Sequence, residues 1–305
     1  MDTQHPVRGL WCAMLTPLDR DGGVDHPRLV DHARRLLAQD VAGLAPFGTT
    51  GEGQSFGVGE RAAGLAALLG AGVPAAKLVA ATGCAALSET ITLTRHGVQS
   101  GCAACLVLPP FFFREPSDEG LYAWYSRVIE SVGDNRLRVL LYHIPQVTGV
   151  PLSVDLIARL AKAFPRIIAG VKDSSGDFAN TQALLERVPQ LAILVGHEPH
   201  LPQAARAGGA GTICGVANTY PAIVRALLSP NVTQADEERI ATFIDITFRQ
   251  PFLPAFKTIV AAQTGDAGWY AMCPPHLPLV EEQRRALLAA LAAAGMPAAP
   301  GAHQQ

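Results

Sequence analysis

The feature that most constrains the fold is an alternation of short apolar runs with longer amphipathic stretches along the first 230 residues. Short apolar runs predict buried strands, and the stretches between them have helical periodicity. We predict strands over Gly9–Leu15, Gly43–Gly48, Leu78–Thr82, Ala104–Pro109, Arg138–His143, Ile167–Lys172, Ala192–Gly196 and Gly211–Gly215. We predict helices near Pro27–Gln39, Val58–Leu69, Leu87–Ser100, Asp118–Ser131, Ser153–Ala163, Asp177–Arg187, Pro199–Ala207 and Tyr220–Leu228.

The predicted strands are apolar throughout, so both of their faces must be covered. Eight such βα units favour an α/β fold of the closed type, a (β/α)8 TIM barrel. An open doubly wound sheet is the alternative, but no Gly-rich dinucleotide fingerprint follows the first strand. After Pro230 the alternation stops, and three helices are predicted, followed by a frayed tail from Pro297: Thr233–Phe248, Pro254–Thr264 and Val280–Ala294. We therefore expect a barrel over residues 1–230 and a C-terminal helical region over residues 231–305, packed on the barrel.

Charge and composition exclude several classes of partner. The net charge is −2 and no basic run occurs, so we expect no nucleic-acid partner. No apolar segment is long enough to cross a membrane, and the first residues lack the basic and apolar regions of a signal peptide. Six cysteines lie scattered through apolar runs, which is typical of the reducing cytoplasm.

Among the four lysines, only Lys172 ends a predicted strand. The carboxyl ends of barrel strands are where active sites lie. A lysine removed from water in such a place can lose its proton, attack a carbonyl and form a Schiff base. The alternative is a solvated lysine in a βα turn, as most lysines are.

Two other strand ends carry groups that fit this chemistry. The turn Gly48–Gly53, GTTGEG, places Thr49 and Thr50 between glycines and predicts a nest for a carboxylate or phosphate, with Gly48 among the binding residues. It lacks the Gly-Lys-Ser/Thr of a P-loop, and it could instead be a plain turn that needs positive φ. Tyr142 ends the fifth strand, where its hydroxyl could relay protons or simply contact water at the barrel rim.

Two further motifs carry weaker signals. His197, Glu198 and His200 lack the i, i+4 histidine spacing of a helical zinc site, although His197 could contact substrate. Cys102 and Cys105 form a CxxC pair that precedes a strand and does not open a helix, so we interpret both as buried apolar side chains. We predict no metal and no cofactor.

Taken together, GTTGE, Y-x-I-P-x-x-T-G and G-V-K-D-S-S-G-D, in this order and spacing, resemble the dihydrodipicolinate synthase / N-acetylneuraminate lyase family over roughly residues 8–290. The resemblance implies a (β/α)8 barrel, usually a homotetramer, and class I aldolase chemistry with pyruvate held as an imine on a lysine. By this resemblance Lys172 forms the imine and Tyr142 relays protons. Thr49 and Thr50 hold the pyruvate carboxylate, Thr50 also joins the relay, and the backbone carbonyl of Ile213 faces the site.

Two positions depart from the family pattern. Dihydrodipicolinate synthases carry a tyrosine in the loop after the fourth strand that reaches into a neighbouring subunit, whereas this loop has Phe111, Phe112 and Phe113. They also carry an arginine for the second substrate's carboxylate where this chain has Val147. His143, where the family often has Asn, also fits a different second substrate.

We therefore predict a Schiff-base-forming lyase or aldolase that acts on pyruvate or a related 2-oxo acid and is not an authentic dihydrodipicolinate synthase. A 2-keto-3-deoxy sugar-acid dehydratase or aldolase is the nearest alternative. A non-catalytic keto-acid-binding barrel is the alternative from another class.

Overall fold

The computed structural model describes residues 7–298. The strands in this part of the chain are β1 (Gly9–Ala13), β2 (Gly43–Ala45), β3 (Val79–Ala81), β4 (Ala104–Val107), β5 (Val139–His143), β6 (Ile168–Asp173), β7 (Ala192–Val195) and β8 (Gly211–Cys214). The helices are α1 (His26–Leu37), α2 (Val58–Gly70), α3 (Leu87–Gln99), α4 (Asp118–Val132), α5 (Pro145–Thr148), α6 (Val154–Ala163), α7 (Phe178–Arg187), α8 (Leu201–Arg206), α9 (Pro221–Leu227), α10 (Gln234–Thr247), α11 (Phe252–Thr264) and α12 (Glu281–Ala293).

The strands of residues 7–298 form one parallel sheet in the order β2-β1-β8-β7-β6-β5-β4-β3. A single parallel bridge between Leu44 and Leu78 joins the two end strands, so the sheet curls into a nearly closed barrel. The predicted TIM barrel is confirmed. Because all strands are parallel, their carboxyl ends meet at one mouth of the barrel.

Several predicted strands are shorter in the structure. The apolar run from Gly43 continues to Phe47, but β2 ends at Ala45 because Phe47 adopts a left-handed conformation with φ of 58°. Its ring packs beneath α2, where a Cβ on Gly64 would lie 2.3 Å from it. The run is therefore apolar partly for packing against a helix. In contrast, β6 extends one residue beyond Lys172, to Asp173.

Capping residues explain where several helices begin. Ser117, Ser153 and Asp177 accept hydrogen bonds from the first backbone N–H groups of α4, α6 and α7. The short helix α5, within the Y-x-I-P-x-x-T-G motif, was not predicted, since four residues are too few for a periodic pattern.

The C-terminal helices share one hydrophobic core with the barrel. Phe243 of α10 and Phe256 of α11 stack with ring centroids 6.1 Å apart, and both belong to a cluster that also contains Leu29 of α1 and Leu15. Of the predicted tail, residues 299–305 lie outside the described part of the chain. No helix among residues 7–298 combines the length and the apolar character needed to cross a bilayer.

A buried polar cluster joins α1 to the loops after β1 and β8. Asn218 accepts from the backbone of Leu15 at 2.9 Å and donates to Ala13 at 2.8 Å. His32 Nε2 lies 2.9 Å from Asn218 Oδ1, and Arg35 lies 3.2 Å from His32 Nδ1. A guanidinium can only donate, so His32 is neutral with its proton on Nε2. Burial first, and then the charge of Arg35, lowers the pKa of His32 to about 3.

His32 is therefore expected to make the fold sensitive to acid. Between pH 6.5 and about 3 the unfolded chain binds a proton that the folded chain excludes, so stability falls as the pH falls through this window. Titration of His32 can change the free energy of unfolding by at most about 1.4 kcal/mol per pH unit. His32→Gln, which keeps a donor for Asn218 but cannot titrate, should lose less stability than wild type between pH 7 and pH 4 in denaturant unfolding. Equal losses in the two proteins would contradict the assignment.

Candidate active site

Lys172 and Tyr142 lie side by side because β5 and β6 are neighbours in the barrel. The two residues are register partners, and both side chains are buried, with 4% and 3% of their surface exposed. Lys172 Nζ lies 4.2 Å from the centroid of the Tyr142 ring. The structure thus brings together the two residues that the sequence singled out at the ends of successive strands.

Hydroxyl groups surround the phenol of Tyr142. Thr49 Oγ1 lies 3.3 Å from the Tyr142 oxygen, and either atom can donate. Burial by itself would raise the pKa of Tyr142, but the adjacent ammonium and hydrogen bonds that include Thr49 and Ser174 outweigh it, so the pKa lies below its ordinary value of 10.0. A phenol with a lowered pKa beside an amine is suited to proton transfer.

The hydroxyl that contacts Tyr142 is that of Thr49, and this differs from the expectation that Thr50 joins the relay. Thr50 is buried and faces β8, since a Cβ added to Gly215 would lie 3.4 Å from its Oγ1. The two adjacent threonines therefore point to different neighbours. Sequence spacing alone could not distinguish them.

The turn after β2 is held tightly, but not by glycines with positive φ. Its left-handed residues are Phe47 and Glu52, with φ of 58° and 53°. Gly51 and Gly53 are required instead by close backbone approach, since added Cβ atoms would lie 2.6 Å from Met14 O and 1.7 Å from Phe47 O. The turn is a rigid, folded-back segment and not a plain flexible connection.

The remaining predicted site residues lie in different surroundings. Ile213 is fully buried in β8, in the cluster inside the barrel that includes Tyr142. Gly48 borders open space, since a Cβ there would meet no atom within 4 Å. His143 points away from this cluster, and its Nδ1 accepts a hydrogen bond from Leu152 N at 3.0 Å. Val147 in α5 is 59% exposed.

Ser174 is a site residue that the sequence analysis missed. It follows β6, two residues after Lys172, and is among the groups that lower the pKa of Tyr142. Its Oγ occupies the space that a side chain on Gly196 would fill, since a Cβ there would lie 2.0 Å from it. The signal available in the sequence was the serine pair after the strand lysine, together with a glycine at the end of the next strand.

The loop after β4 exposes two of its three phenylalanines, whereas Phe111 is partly buried against the cluster that contains Tyr142. Phe112 and Phe113 are 74% and 78% exposed, and their rings meet edge to face with centroids 5.1 Å apart. No aromatic hydroxyl is present in Phe111–Phe113, so this loop offers no counterpart to the family tyrosine.

The histidine motif and the cysteine pair differ in how deeply their side chains are buried. The rings of His197 and His200 meet edge to face with centroids 4.4 Å apart, whereas Glu198 is buried, and burial raises its pKa. Within residues 7–298, no group of three or more His, Cys, Asp or Glu side chains is placed to hold a metal ion. Cys102 and Cys105 are both free thiols, and burial raises the pKa of Cys102 to about 11. Such thiols are poor nucleophiles.

Comparison with known proteins identifies the family. The model of the dihydrodipicolinate synthetase family matches residues 6–294. The chain belongs to this family. An uncharacterized DapA-like lyase from Chloroflexus aurantiacus is 35% identical over 288 residues, which cover 93% of this chain and 95% of that protein.

Solved structures agree with the family assignment. A dihydrodipicolinate synthase from Agrobacterium tumefaciens superposes with a TM-score of 0.89 at 38% identity, covering 94% of this chain and 99% of that one. N-acetylneuraminate lyase from Proteus mirabilis superposes with a TM-score of 0.84 at 25% identity, covering 95% of this chain and 99% of that one. The chain is therefore an enzyme, a lyase of the class I aldolase type.

The contact between Gly196 and Ser174 predicts a specific steric effect. Gly196→Ala should destabilise the fold by about 1–3 kcal/mol in denaturant unfolding, because its methyl group overlaps the Ser174 hydroxyl. Adding Ser174→Ala should recover part of the loss. Gly59→Ala, where a Cβ meets nothing within 4 Å, is the control and should keep stability or raise it by up to about 1 kcal/mol, because alanine favours the helix α2 more than glycine does. A Gly196→Ala variant as stable as wild type would refute the close contact between Gly196 and the Ser174 hydroxyl.

Proposed function

We propose that this enzyme forms a Schiff base between Lys172 and the ketone of pyruvate or a related 2-oxo acid, and that it is not an authentic dihydrodipicolinate synthase. The observation that carries the proposal is the buried contact between Lys172 and Tyr142, with Nζ 4.2 Å from the ring centroid. Imine formation needs an amine nucleophile, a proton relay and an anion site, and all three have candidates at one barrel mouth.

The proposed reaction begins with attack of the Lys172 amine on the C2 carbonyl. The carbonyl oxygen takes up a proton to give a carbinolamine, and loss of water gives the imine. Loss of a proton from C3 of the imine yields an enamine, whose C3 can attack an aldehyde to form a carbon–carbon bond, or which can expel the C4 hydroxyl group, together with a proton, as water. In the cleavage direction the C3–C4 bond of the imine breaks instead as the C4 hydroxyl loses its proton, so that an aldehyde leaves and the enamine remains. Tyr142 and Thr49, 3.3 Å apart, carry these protons, with Thr49 taking the role first expected of Thr50.

The substrate carboxylate is assigned to the turn that carries Thr49 and Thr50. Gly48 borders open space beside them and allows the substrate to approach the backbone closely. The backbone carbonyl of Ile213, in β8 and two strands away from β2, is assigned to the same site.

The second substrate is expected to lack a carboxylate that needs an arginine at position 147. Val147 is exposed and uncharged, and a missing charge-assisted hydrogen bond costs about 1.5–3 kcal/mol. Sugar acids present hydroxyl groups instead, so a 2-keto-3-deoxy sugar-acid dehydratase or aldolase remains the alternative. Contact of His143 with this substrate is not supported, because its Nδ1 is engaged by Leu152 N.

Two broader expectations complete the proposal. A homotetramer is the state implied by the family. Six free thiols among the described residues favour a reducing compartment, the cytoplasm. A non-catalytic keto-acid-binding barrel is disfavoured, because simple binding does not require a buried amine against a phenol.

Trapping tests the imine directly. Incubation with pyruvate and sodium borohydride should add the mass of a reduced pyruvyl group to the protein, and peptide mapping should locate it on Lys172. Lys172→Arg should give no adduct, whereas Lys162→Arg, at an exposed position of α6, should be labelled like wild type.

Tyr142→Phe separates the relay from the nucleophile in the same assay. It should slow adduct formation by about 10²-fold or more while the modified residue remains Lys172. Wild-type protein that stays unlabelled at saturating pyruvate would refute the Schiff-base mechanism.

A substrate panel decides between the proposed classes. With pyruvate present, aspartate semialdehyde should be turned over poorly, and 2-keto-3-deoxy sugar acids should be tested alongside it. Val147→Arg should improve the use of aspartate semialdehyde, by about tenfold or more if it restores one charge-assisted contact. Rapid turnover of aspartate semialdehyde by wild type would show that the chain is an authentic dihydrodipicolinate synthase.

A further inference from the structure

A buried ion pair connects the turn Gly48–Gly53 after β2, called the threonine turn from here on, to the C-terminal helical region. Glu52 lies in the turn, three residues after Thr49, and Lys257 lies in α11. Glu52 Oε1 and Lys257 Nζ are 2.5 Å apart, and the two side chains are 0% and 1% exposed. Lys257 falls inside a helical pattern and not at a strand end, so its sequence position predicts no role in the site.

The other polar contacts of this pair bridge the same two regions. Glu52 Oε2 accepts a hydrogen bond from Cys273 N at 3.0 Å, and Lys257 Nζ donates to Ala271 O at 2.8 Å. The carboxylate therefore belongs to the barrel, whereas all of its partners named here belong to the segment after Pro251. Buried charges are costly unless they are paired and hydrogen-bonded, so this geometry is strongly specified.

Glu52 also holds an unusual backbone conformation. Its φ of 53° is left-handed, which is unfavourable for a residue with a side chain. Its N–H donates to Thr49 O at 3.1 Å, and the N–H of Gly53 donates to Gly48 O at 3.0 Å. These bonds tie the conformation of Glu52 to that of Thr49 and Gly48. Strain of this kind persists only where surrounding contacts impose it.

The positive charge of Lys257 also affects how an anionic substrate can bind near Glu52. An unpaired carboxylate at Glu52 would lie close in the chain to the threonines assigned to the substrate carboxylate and would repel an anionic substrate. Lys257 neutralises it. A pair of apolar side chains could stabilise the fold equally well, but it could not supply the hydrogen bonds that set this conformation.

We propose that Glu52 and Lys257 are positioning residues through which the C-terminal helical region holds the threonine turn ready for the carboxylate of a 2-oxo acid. The inference rests on the proposed function, because it assigns the turn to the substrate carboxylate. Neither residue takes part in the chemical steps. Their loss should therefore weaken binding of the keto acid more than it slows imine formation at saturation.

The test measures borohydride trapping as a function of pyruvate concentration. For Lys257→Met and Glu52→Gln, the half-saturating pyruvate concentration should rise at least about tenfold, equivalent to about 1.4 kcal/mol. The maximal trapping rate should stay within about threefold of wild type. Lys257→Arg, which keeps the positive charge, should restore much of the affinity.

The control is a variant that destabilises α11 without touching the pair. Ile259→Ala removes a fully buried side chain two residues away and should lower the midpoint of thermal unfolding while the half-saturating pyruvate concentration stays at the wild-type value. All proteins are assayed at a temperature where circular dichroism shows them folded. If Lys257→Met fails to fold, Glu52→Gln and Lys257→Arg carry the comparison.

The outcomes separate the two proposals. If Lys257→Met and Glu52→Gln have the same half-saturating pyruvate concentration as wild type and Ile259→Ala, the pair has no positioning role and the inference is overturned. The inference is also overturned if Lys257→Met and Glu52→Gln lower the maximal trapping rate but leave the half-saturating pyruvate concentration unchanged. If wild type itself is not trapped, the Schiff-base proposal fails, and this inference falls with it.

Discussion

The proposed chemistry depends on one contact, that of the Lys172 amine with the face of the Tyr142 ring. It exists because β5 and β6 pair in parallel with these two residues opposite each other. A shift of one residue in either strand would turn one side chain outward toward the helices. His143 and Asp173, the next pair in this register, show that outcome: His143 contacts Leu152, and Asp173 accepts hydrogen bonds from Thr181 and Asn180.

The second constraint is the folded-back turn after β2. Close approach of Gly51 and Gly53 to neighbouring backbone leaves no room for side chains there, and the left-handed positions are filled by Phe47 and Glu52. Each is fixed from outside the turn: Phe47 by packing beneath α2, and Glu52 by the ion pair with Lys257. The turn held in this way carries Thr49, whose hydroxyl lies 3.3 Å from that of Tyr142.

The C-terminal helices therefore contribute more than a covering for the barrel. They share its largest hydrophobic cluster and also supply Lys257 and the backbone groups of Ala271 and Cys273. At a site where an anion must be recognised, a neutralised carboxylate nearby is compatible with binding, whereas a free one would oppose it. The C-terminal region thus supplies contacts that hold Glu52 of the threonine turn.

The order of the strands, the barrel and the place of Lys172 and Tyr142 at the ends of neighbouring strands could be predicted from the sequence, because apolar runs, their spacing and the residues at strand ends are local properties. The choice between Thr49 and Thr50 could not, since it depends on side-chain direction in a turn. Ser174 was missed because its place depends on the absent side chain of Gly196, which follows a different strand, β7. Lys257 was missed for the same reason: it meets Glu52 across 205 positions of the chain, and only the tertiary structure brings two such charges together away from water.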